Sequence, residues 1–296
     1  MFKQLGLIGC GLMGSSFALA LKRAGLVQRV VGFSQTTATT DKARAMGVID
    51  SAAASATEAA RGADLVLISV PVGATLLSLQ AIAPALNAST LVMDVGSTKR
   101  DVVAAARQAL GDKLTCFVPA HPICGKEVSG VEHADADLYA GKKLILTPLR
   151  ETRAEQLSQA RQLWQALTCE VSDMTPEAHD AAYAAVSHLP HLLAFAAMNA
   201  LVSTEGAKQL PLAGSGFRDF TRIAASEPAM WRDILLANRD EVLAQSALFK
   251  AQLQQLEDAL HSGDAVQLLT LIGQASRARA QWQAGLVQAA DGAPND

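Results

Sequence analysis

The glycine pattern at the start of the chain limits the possible folds more than any other feature. An apolar run over residues 4–8 precedes a GxGxxG spacing formed by Gly9, Gly11 and Gly14, and a helical pattern follows. In this arrangement the first glycine permits a tight turn, the second lets the backbone approach a pyrophosphate, and the third allows close packing of helix and strand. The N–H groups at the helix start then complete an anion site. The pattern predicts a dinucleotide-binding unit.

Short apolar runs, mostly separated by helical patterns, continue over the first 172 residues. Such runs suit a parallel sheet, because helices cover both of its faces. We predict further strands at Arg29–Phe33, Asp64–Val70, Thr90–Val95, Thr115–Ala120 and Lys143–Thr147, and a short strand-like run at Cys169–Ser172. The fold class is therefore α/β, with an N-terminal Rossmann-type doubly wound parallel sheet. Such sheets bind ligands beyond the carboxyl ends of their strands.

Residues at these strand ends are candidates for cofactor binding. In an NAD-binding fold the second strand usually ends at an acid that binds the ribose diol, but Ser34 stands there. Because no carboxylate would repel a ribose phosphate, we expect NADP, with NAD as the alternative if other groups bind the ribose. We assign cofactor binding to Gly9, Gly11, Leu12, Met13 and Gly14, to Ser34, Gln35 and Thr36, and to Val70 and Pro71.

The pattern changes after Pro176. Almost every residue from there to Leu286 falls in a helical pattern with an apolar stripe. We therefore predict a dinucleotide-binding domain over residues 1–172 and an all-helical domain over residues 173–296. Residues 289–296 contain Gly, Pro and Asp, and we expect them to be frayed.

Histidines in apolar segments are candidate site residues. His121 follows a predicted strand, where a hydride-transfer enzyme would hold a proton acceptor, since an imidazole with a pKa of about 6.5 takes up a proton near neutral pH. His188 and His191 flank Pro190, which would kink an apolar helix and free backbone groups. Core histidines with satisfied hydrogen bonds are the alternative.

Two arginines follow a glycine-rich turn in the helical half. Arg218 and Arg222 lie four residues apart and so share one face of a helix. Guanidinium groups bind carboxylates in a bidentate manner, which suits a dicarboxylate substrate. A surface salt-bridge network with Asp219 is the alternative.

Composition argues against several classes of function. With 25 basic and 28 acidic residues the formal charge is −3, which gives no field for nucleic acid or an anionic membrane. The longest apolar stretch, Leu192–Val202, is shorter than the ~20 residues that span a bilayer, and no secretory signal pattern opens the chain. We expect a cytoplasmic protein that binds neither nucleic acid nor membrane.

The cysteines have no paired spacing, which is typical of buried thiols in a reducing cytosol. A catalytic thiol at Cys124, close to His121, is the alternative. The four residues are Cys10, Cys116, Cys124 and Cys169.

Taken together, the motifs resemble the prephenate/arogenate (cyclohexadienyl) dehydrogenase family of tyrosine biosynthesis. The resemblance covers essentially the whole chain, and its segments keep the family's order. They are GLIGCGLMGSS at the start, DVGSTK at Asp94–Lys99, HPICGKEVSG at His121–Gly130, SHLPH at Ser187–His191 and GFRDFTRIA at Gly216–Ala224. The resemblance implies oxidative decarboxylation of prephenate or arogenate with NAD(P)+, and a homodimer formed through the helical domain.

The resemblance also implies a role for each site residue. His121 would accept the proton of the ring hydroxyl as hydride leaves, and Ser97 would hydrogen-bond the same hydroxyl and His121. Arg222 would bind a substrate carboxylate. The other residues around the substrate would be His188, His191, Gly216, Asp219 and Trp231.

Two other interpretations fit the same layout. A hydroxyacid dehydrogenase or a pyrroline carboxylate reductase also joins a Rossmann-type domain to a helical dimerisation domain, but neither explains SHLPH together with GFRDFTR. A nucleotide sensor without activity would keep the fold with a damaged pocket, whereas Ser97, His121 and Arg222 are all present. The sequence leaves prephenate and arogenate open, because they differ only by a keto or an amino group on the side chain.

Overall fold

A computed structural model describes residues 1–126, 128–203 and 205–283, so the expected fraying of residues 289–296 lies outside the described part. Strands and helices alternate up to residue 173, and helices alone follow among the described residues. The strands are β1 Phe2–Ile8, β2 Val27–Phe33, β3 Ser51–Ala52, β4 Leu65–Ile68, β5 Leu91–Asp94, β6 Phe117–Val118, β7 Ala120–Pro122, β8 Lys143–Leu146 and β9 Glu170–Asp173. The helices of the first half are α1 Leu12–Arg23, α2 Thr37–Ala45, α3 Ala56–Ala60, α4 Thr75–Ile82, α5 Arg100–Leu110 and α6 Ala154–Ala166.

The helices of the second half are α7 Pro176–Tyr183, α8 Leu189–Val202, α9 Ser215–Thr221, α10 Pro228–Ala237, α11 Arg239–Ser262 and α12 Ala265–Gln283. A π-helical turn, Ala184–His188, joins α7 to α8. A 3₁₀ turn, Arg222–Ala225, follows α9.

A six-stranded parallel sheet forms the centre of the first half. Its strand order is β3-β2-β1-β4-β5-β6, so the order reverses between β1 and β4. Alternate residues of β1 and β4 enter two separate apolar clusters: Leu5 and Leu65 belong to one, Ile8 and Val66 to the other. Because successive side chains of a strand face opposite ways, both faces of the sheet are buried. The predicted α/β class is confirmed.

The strand predicted at Thr115–Ala120 is wrong as a single element. Its first two residues belong to a 3₁₀ helix, Gly111–Cys116, and only β6 pairs with the large sheet. Pro119 then interrupts the ladder, because proline has no N–H to donate. His121 consequently lies inside β7, opposite Ile145, in a second sheet of order β7-β8-β9. The run predicted at 143–147 also belongs to this second sheet, as β8.

The helical run Pro176–Val202 is longer than the apolar stretch Leu192–Val202 that the sequence shows. Its 27 residues are long and apolar enough to cross a membrane by length and composition alone. Leu192–Val202 is only the last part of this run, because α7 and α8 are continuous through the π-helical turn. Near its start, however, the run contains the buried pair His179 and Asp180, which binds polar groups of the first half. The run therefore begins as a core helix.

The described chain forms two compact units. The first covers Met1–Val242 and contains both sheets and the helices α1 to α10; the second begins at Leu243, within α11. The predicted division between residues 172 and 173 lies one residue before the end of β9, the last strand, and stays a prediction.

Candidate active site

The glycine loop after β1 has the shape that a dinucleotide requires. Gly9 has φ +99°, and a Cβ there would lie 2.1 Å from the carbonyl oxygen of Ser69. A Cβ at Gly14 would lie 2.3 Å from the carbonyl oxygen of Gly9, whereas a Cβ at Gly11 would meet nothing within 4 Å. Gly9 and Gly14 have no room for a side chain, as the tight turn and the close helix packing require. Gly11 leaves room for a pyrophosphate. The residues present therefore fit the cofactor.

The start of α1 completes this loop. Leu12 is buried and Met13 is partly buried at the first turn, and the carbonyl oxygen of Met13 accepts a 2.7 Å hydrogen bond from the Tyr139 hydroxyl. The N-cap, Gly11, makes no side-chain cap, and the first turn contains no acid. The helix therefore presents uncapped N–H groups and the positive end of its dipole to an anion.

The end of β2 lies against the glycine loop. The hydroxyl oxygen of Ser34 accepts a 2.9 Å hydrogen bond from the N–H of Cys10. Gln35 and Thr36 are exposed, and Thr36 is the N-cap of α2, whose first turn has no acidic residue. This corner is thus free of carboxylates from the β2 end through the first turn of α2.

The end of β4 forms the other wall. Val70 lies 3.2 Å from the Cβ position of Gly9 through its Cγ1 atom, and Pro71 is exposed next to it. The structure therefore brings together Gly9–Gly14, Ser34 and Val70, as the topology of neighbouring parallel strands predicts.

A buried ion pair in the DVGSTK segment fixes the backbone ahead of His121. The Lys99 ammonium binds the Asp94 carboxylate, and both side chains are buried. Lys99 Nζ also donates to the carbonyl oxygen of Ala120 at 2.7 Å, and Asp94 Oδ1 accepts from the N–H of Ala120 at 3.1 Å. The pair thus satisfies both backbone groups of the residue before His121.

His121 is the first member of a chain of polar contacts that runs into α7. Its Nδ1 lies 2.8 Å from Nε2 of His179, and Nδ1 of His179 lies 2.8 Å from Oδ1 of Asp180. The ring of Tyr183 packs at the edge of His121, with ring centroids 5.0 Å apart. His179 and Asp180 are fully buried. The imidazole of His121 is therefore held from one side by α7.

The electrostatics of this chain favour an uncharged His121. Burial lowers the pKa of His121 well below its usual value, and unfavourable electrostatic interactions with His179, Lys99 and His188 lower it further. Burial also lowers the pKa of His179, although its hydrogen bond to Asp180 acts in the opposite direction. At neutral pH both imidazoles are neutral, so His121 is able to accept a proton.

Asp180 is the anion of this chain. Burial opposes its charge, yet hydrogen bonds from His179 and from the N–H groups of Arg100 and Lys99 lower its pKa overall. Those backbone bonds measure 2.8 Å from Lys99 and 2.9 Å from Arg100. The Asp180 carboxylate therefore also caps the start of α5, and it links α5 to α7.

His188 lies in the π-helical turn and His191 in α8, further along the helical run that contains His179. Nδ1 of His188 lies 3.0 Å from the Asn238 side-chain nitrogen, which also donates to the carbonyl oxygen of Asp180 at 2.8 Å. His191 stacks on Trp231, with ring centroids 3.5 Å apart and 20° between the planes. Its Nδ1 lies 2.9 Å from the carbonyl oxygen of Ser187. Burial lowers the pKa of His188 to about 4.

The remaining predicted residues lie on other segments. Gly216, Asp219 and Arg222 are exposed on α9 and the turn after it, a segment that packs on α8. Ser97 is partly buried after β5. Among the described residues, Nδ1 of His121 is bonded to His179, and no hydrogen bond joins His121 to Ser97.

Cys124 is unsuited to nucleophilic catalysis. Burial raises its pKa to about 12, so the thiol is protonated at neutral pH. The other three cysteines are buried and free. The chemistry of the site therefore belongs to the histidines.

Several site residues escaped the sequence analysis. Asp94 and Lys99 lie in the DVGSTK segment, which carries part of the family resemblance. A lysine shortly after a buried strand is a sequence signal that indicates a site residue. His179, Asp180 and Asn238 had no comparable signal. A His-Asp pair on a helix start is ordinary in a sequence, and its partners are 58 to 81 positions away along the chain.

A glycine loop at the strand-order reversal of the large sheet, with neutral histidines in the second sheet and on α7, is typical of a nicotinamide-dependent dehydrogenase. Comparison with known proteins then identifies the family. Residues 17–172 match the model described as prephenate dehydrogenase, nucleotide-binding domain, and residues 175–274 match prephenate dehydrogenase, dimerization domain. The chain belongs to the prephenate dehydrogenase family and is an oxidoreductase, which excludes the other two interpretations.

Individual relatives resemble the chain over nearly its whole length. The cyclohexadienyl dehydrogenase of Zymomonas mobilis is 35% identical over 282 residues, which cover 94% of this chain and 95% of that protein. The structure of prephenate dehydrogenase from A. aeolicus, in complex with hydroxyphenyl propionate and NAD+, has a TM-score of 0.88 at 34% identity and covers 95% and 98% of the two chains. Synechocystis arogenate dehydrogenase has a TM-score of 0.79 at 27% identity, with 94% and 99% covered.

Proposed function

We propose that the protein oxidises prephenate or arogenate with NAD(P)+ and releases carbon dioxide, giving 4-hydroxyphenylpyruvate or tyrosine in tyrosine biosynthesis. The observation that carries this proposal is His121, an imidazole kept neutral by burial at the junction of β7 and α7. The names of the relatives support both substrates, since one is a cyclohexadienyl and another an arogenate dehydrogenase.

His121 acts as the general base. Its imidazole accepts the proton of the ring hydroxyl, and Ser97 donates a hydrogen bond to the same oxygen. The nicotinamide, when bound in the glycine loop domain, would supply the acceptor for the hydride on the carbon that bears this hydroxyl. When the ring carboxylate leaves as carbon dioxide, its bonding electrons enter the ring, and the oxygen takes the proton back from His121. The protein therefore holds one proton while the ring becomes aromatic.

The substrate is held by cationic and aromatic groups of the helical half. Arg222 binds a carboxylate through its guanidinium group. His188 and His191, with Trp231 stacked on the second of them, line the pocket. Gly216 and Asp219 lie on the segment that leads to Arg222. Together these groups orient the ring toward His121.

NADP is the preferred cofactor, with NAD as the alternative. The support is the corner at the end of β2, where Ser34 replaces the usual acid and the first turn of α2 has none. The hydroxyl of Ser34 accepts from the N–H of Cys10, and a hydroxyl is also able to donate to a ribose phosphate. The dipole of α2 favours an anion in the same place.

The protein acts as a cytoplasmic homodimer. The match to the dimerization domain supports this assembly, as does the row of exposed apolar side chains on α11 and α12. That row includes Leu243, Leu253, Leu260, Leu269 and Ile272.

A four-way assay tests the function directly. Purified protein is given prephenate or arogenate, each with NAD+ or NADP+, and reduced cofactor is followed by its absorbance. Activity with at least one pair, and its loss by about 10²–10⁴-fold in His121→Asn, is expected for removal of a general base. Inactivity with all four pairs in a folded wild-type protein contradicts the function. Normal turnover in the variant contradicts the role of His121.

A further inference from the structure

We propose that His179 and Asp180 are positioning residues that fix the tautomer of His121, so that its Nε2 atom is the base. The inference deepens the proposed function and rests on it for its kinetic consequences. Neither residue needs to touch the substrate.

The hydrogen-bond pattern allows one assignment of protons. An ionised Asp180 only accepts hydrogen bonds, so Nδ1 of His179, 2.8 Å away, must donate to it. A neutral His179 then has an unprotonated Nε2, which must accept from Nδ1 of His121 at 2.8 Å. With its proton on Nδ1, a neutral His121 has its lone pair on Nε2, the only ring nitrogen left for a substrate hydroxyl.

Asp180 is built to stay ionised in this arrangement. Its two oxygens accept from the N–H groups of Lys99 and Arg100 at 2.8 and 2.9 Å, in addition to the bond from His179. Each of these partners is a donor, so a protonated carboxyl would face donors on both oxygens. Asn238 adds a bond to the Asp180 carbonyl oxygen, which anchors the backbone at the same point.

The chain of contacts joins the two domains that the family models define. His121 falls in the nucleotide-binding match, whereas His179 and Asp180 fall in the dimerization match. The base is therefore complete only when α7 packs against β7 and the start of α5. A proton transfer to Nε2 breaks the O–H bond of the substrate, forms an N–H bond on His121 and leaves the Nδ1 hydrogen in place. The hydrogen bonds from the resulting His121 imidazolium then lead through His179 to the Asp180 carboxylate.

Nitrogen NMR of 15N-histidine-labelled protein tests the tautomer without any substrate. Assignment uses the loss of one imidazole spin system in His121→Asn. In the wild-type protein above the titration range of His121, Nδ1 of His121 is expected in the protonated range and Nε2 in the unprotonated range. The opposite pattern would overturn the proposal. Because this arm needs no turnover, it gives an answer even if the proposed substrates are wrong.

Kinetics of two His179 variants test the consequence. His179→Phe keeps a ring beside Tyr183, whose centroid is 4.5 Å from that of His179, but removes the acceptor for His121. We expect kcat to fall by about 10²–10⁴-fold at every pH, including the alkaline plateau, with the KM values within about threefold; a wrong tautomer has a cost of this order in the serine-protease triad. His179→Gln places a carbonyl oxygen near the former Nε2 position and should recover at least about tenfold of the loss.

A helix-cap variant serves as the matched control. Thr175 caps α7 through a 3.1 Å bond from the N–H of Ala178, so Thr175→Ala loosens the helix that holds His179 without touching the polar chain. Its kcat should stay within about threefold of the wild type, because a cap affects the stability of a helix and not a tautomer. If Thr175→Ala lost as much kcat as His179→Phe, or if the Phe variant turned over normally, the positioning role would be refuted. If wild-type protein were inactive with all substrates, only the proposed function would fail.

Discussion

The ammonium group of Lys99 donates a 2.7 Å hydrogen bond to the carbonyl oxygen of Ala120, the residue before the proposed base. Its other partner, Asp94, accepts from the N–H of the same residue. A buried salt bridge thus binds both backbone polar groups of one residue, and so holds the two peptide units on either side of it. The clamp explains why β7 keeps a fixed direction although it leaves the large sheet after β6.

Lys99→Met should be costly for both folding and catalysis. Removing one partner of a buried ion pair leaves the Asp94 carboxylate buried without its counter-charge, which costs about 3–5 kcal/mol. Urea denaturation monitored by circular dichroism measures this loss. The matched control is Lys22→Met, since Lys22 binds Asp50 in an exposed pair worth at most about 1 kcal/mol. Equal losses in the two variants would contradict a special role for the buried clamp.

Stability should fall as the pH is lowered from 6.5 toward 4. Burial lowers the pKa of His188 from 6.5 to about 4, so in this window the unfolded chain binds a proton that the folded protein does not. The neutral His188 therefore contributes fully to the free energy of unfolding above pH 6.5. This contribution falls by about 3 kcal/mol between pH 6.5 and pH 4. His188→Gln should flatten this part of the stability profile, whereas the exposed His133→Gln should leave it unchanged. A profile of His188→Gln as steep as that of the wild type would exclude His188 as the source.

Turnover should rise with pH and reach its plateau below neutrality. His121 must be uncharged to act as a base, and its pKa is lowered by burial and by unfavourable electrostatic interactions with His179, Lys99 and His188. The acidic limb of the kcat profile should therefore lie below the ordinary histidine range. A solvent-viscosity control establishes that chemistry limits the rate. A limb centred above pH 7 under those conditions would be inconsistent with a base whose pKa is lowered.

His191→Ala should alter substrate choice more than turnover. The ring of His191 is held by stacking on Trp231, and its Nδ1 is occupied by the carbonyl oxygen of Ser187, so Nε2 is the atom left to read the keto or amino group. We expect the ratio of kcat/KM for prephenate and arogenate to change by about tenfold, which equals ~1.4 kcal/mol. Phe195→Leu is the control, because Phe195 packs against the same Trp231 ring but has no polar side-chain atom. A fall in kcat with an unchanged ratio would remove His191 as a selectivity residue.

Ser34→Asp should convert cofactor preference toward NAD. The new carboxylate would repel a ribose phosphate while its oxygen still accepts from the N–H of Cys10, so the loop is kept. We expect the KM for NADP+ to rise by about tenfold or more with little change for NAD+. Ser34→Ala removes the acceptor for Cys10 and the donor to the ribose phosphate without adding charge, so it should raise the KM for NADP+ less than the Asp variant does. An unchanged NADP+ preference in the Asp variant would show that the ribose phosphate is bound elsewhere.

Local patterns in the sequence were sufficient for the sheet and the glycine loop, but not for the polar chain at His121. The glycine loop and the buried strands depend on residues that are close together in the sequence. Periodicity and spacing therefore predict them. Pro119 is evident in the sequence, but the sequence does not show that it divides one predicted strand between two sheets. That division occurs because β8 pairs with the residues that follow Pro119. His179 and Asp180 form a polar pair on a helix, and only the packing of α7 on α5 and β7 gives it a role. Long-range contacts of this kind have no local signature.

The π-helical turn at Ala184–His188 sets the angular phase of α8 relative to α7. A single residue added to or removed from an α-helix rotates all that follows by about 100°, because a turn contains 3.6 residues. Deleting one residue from this turn would give a more regular helix, but the side chains of His188 and His191 would face a different direction from His179 and Asp180. The irregular turn therefore acts as a spacer that aligns two halves of one helix, and the length of this segment is under tighter geometric constraint than the identity of its exposed residues.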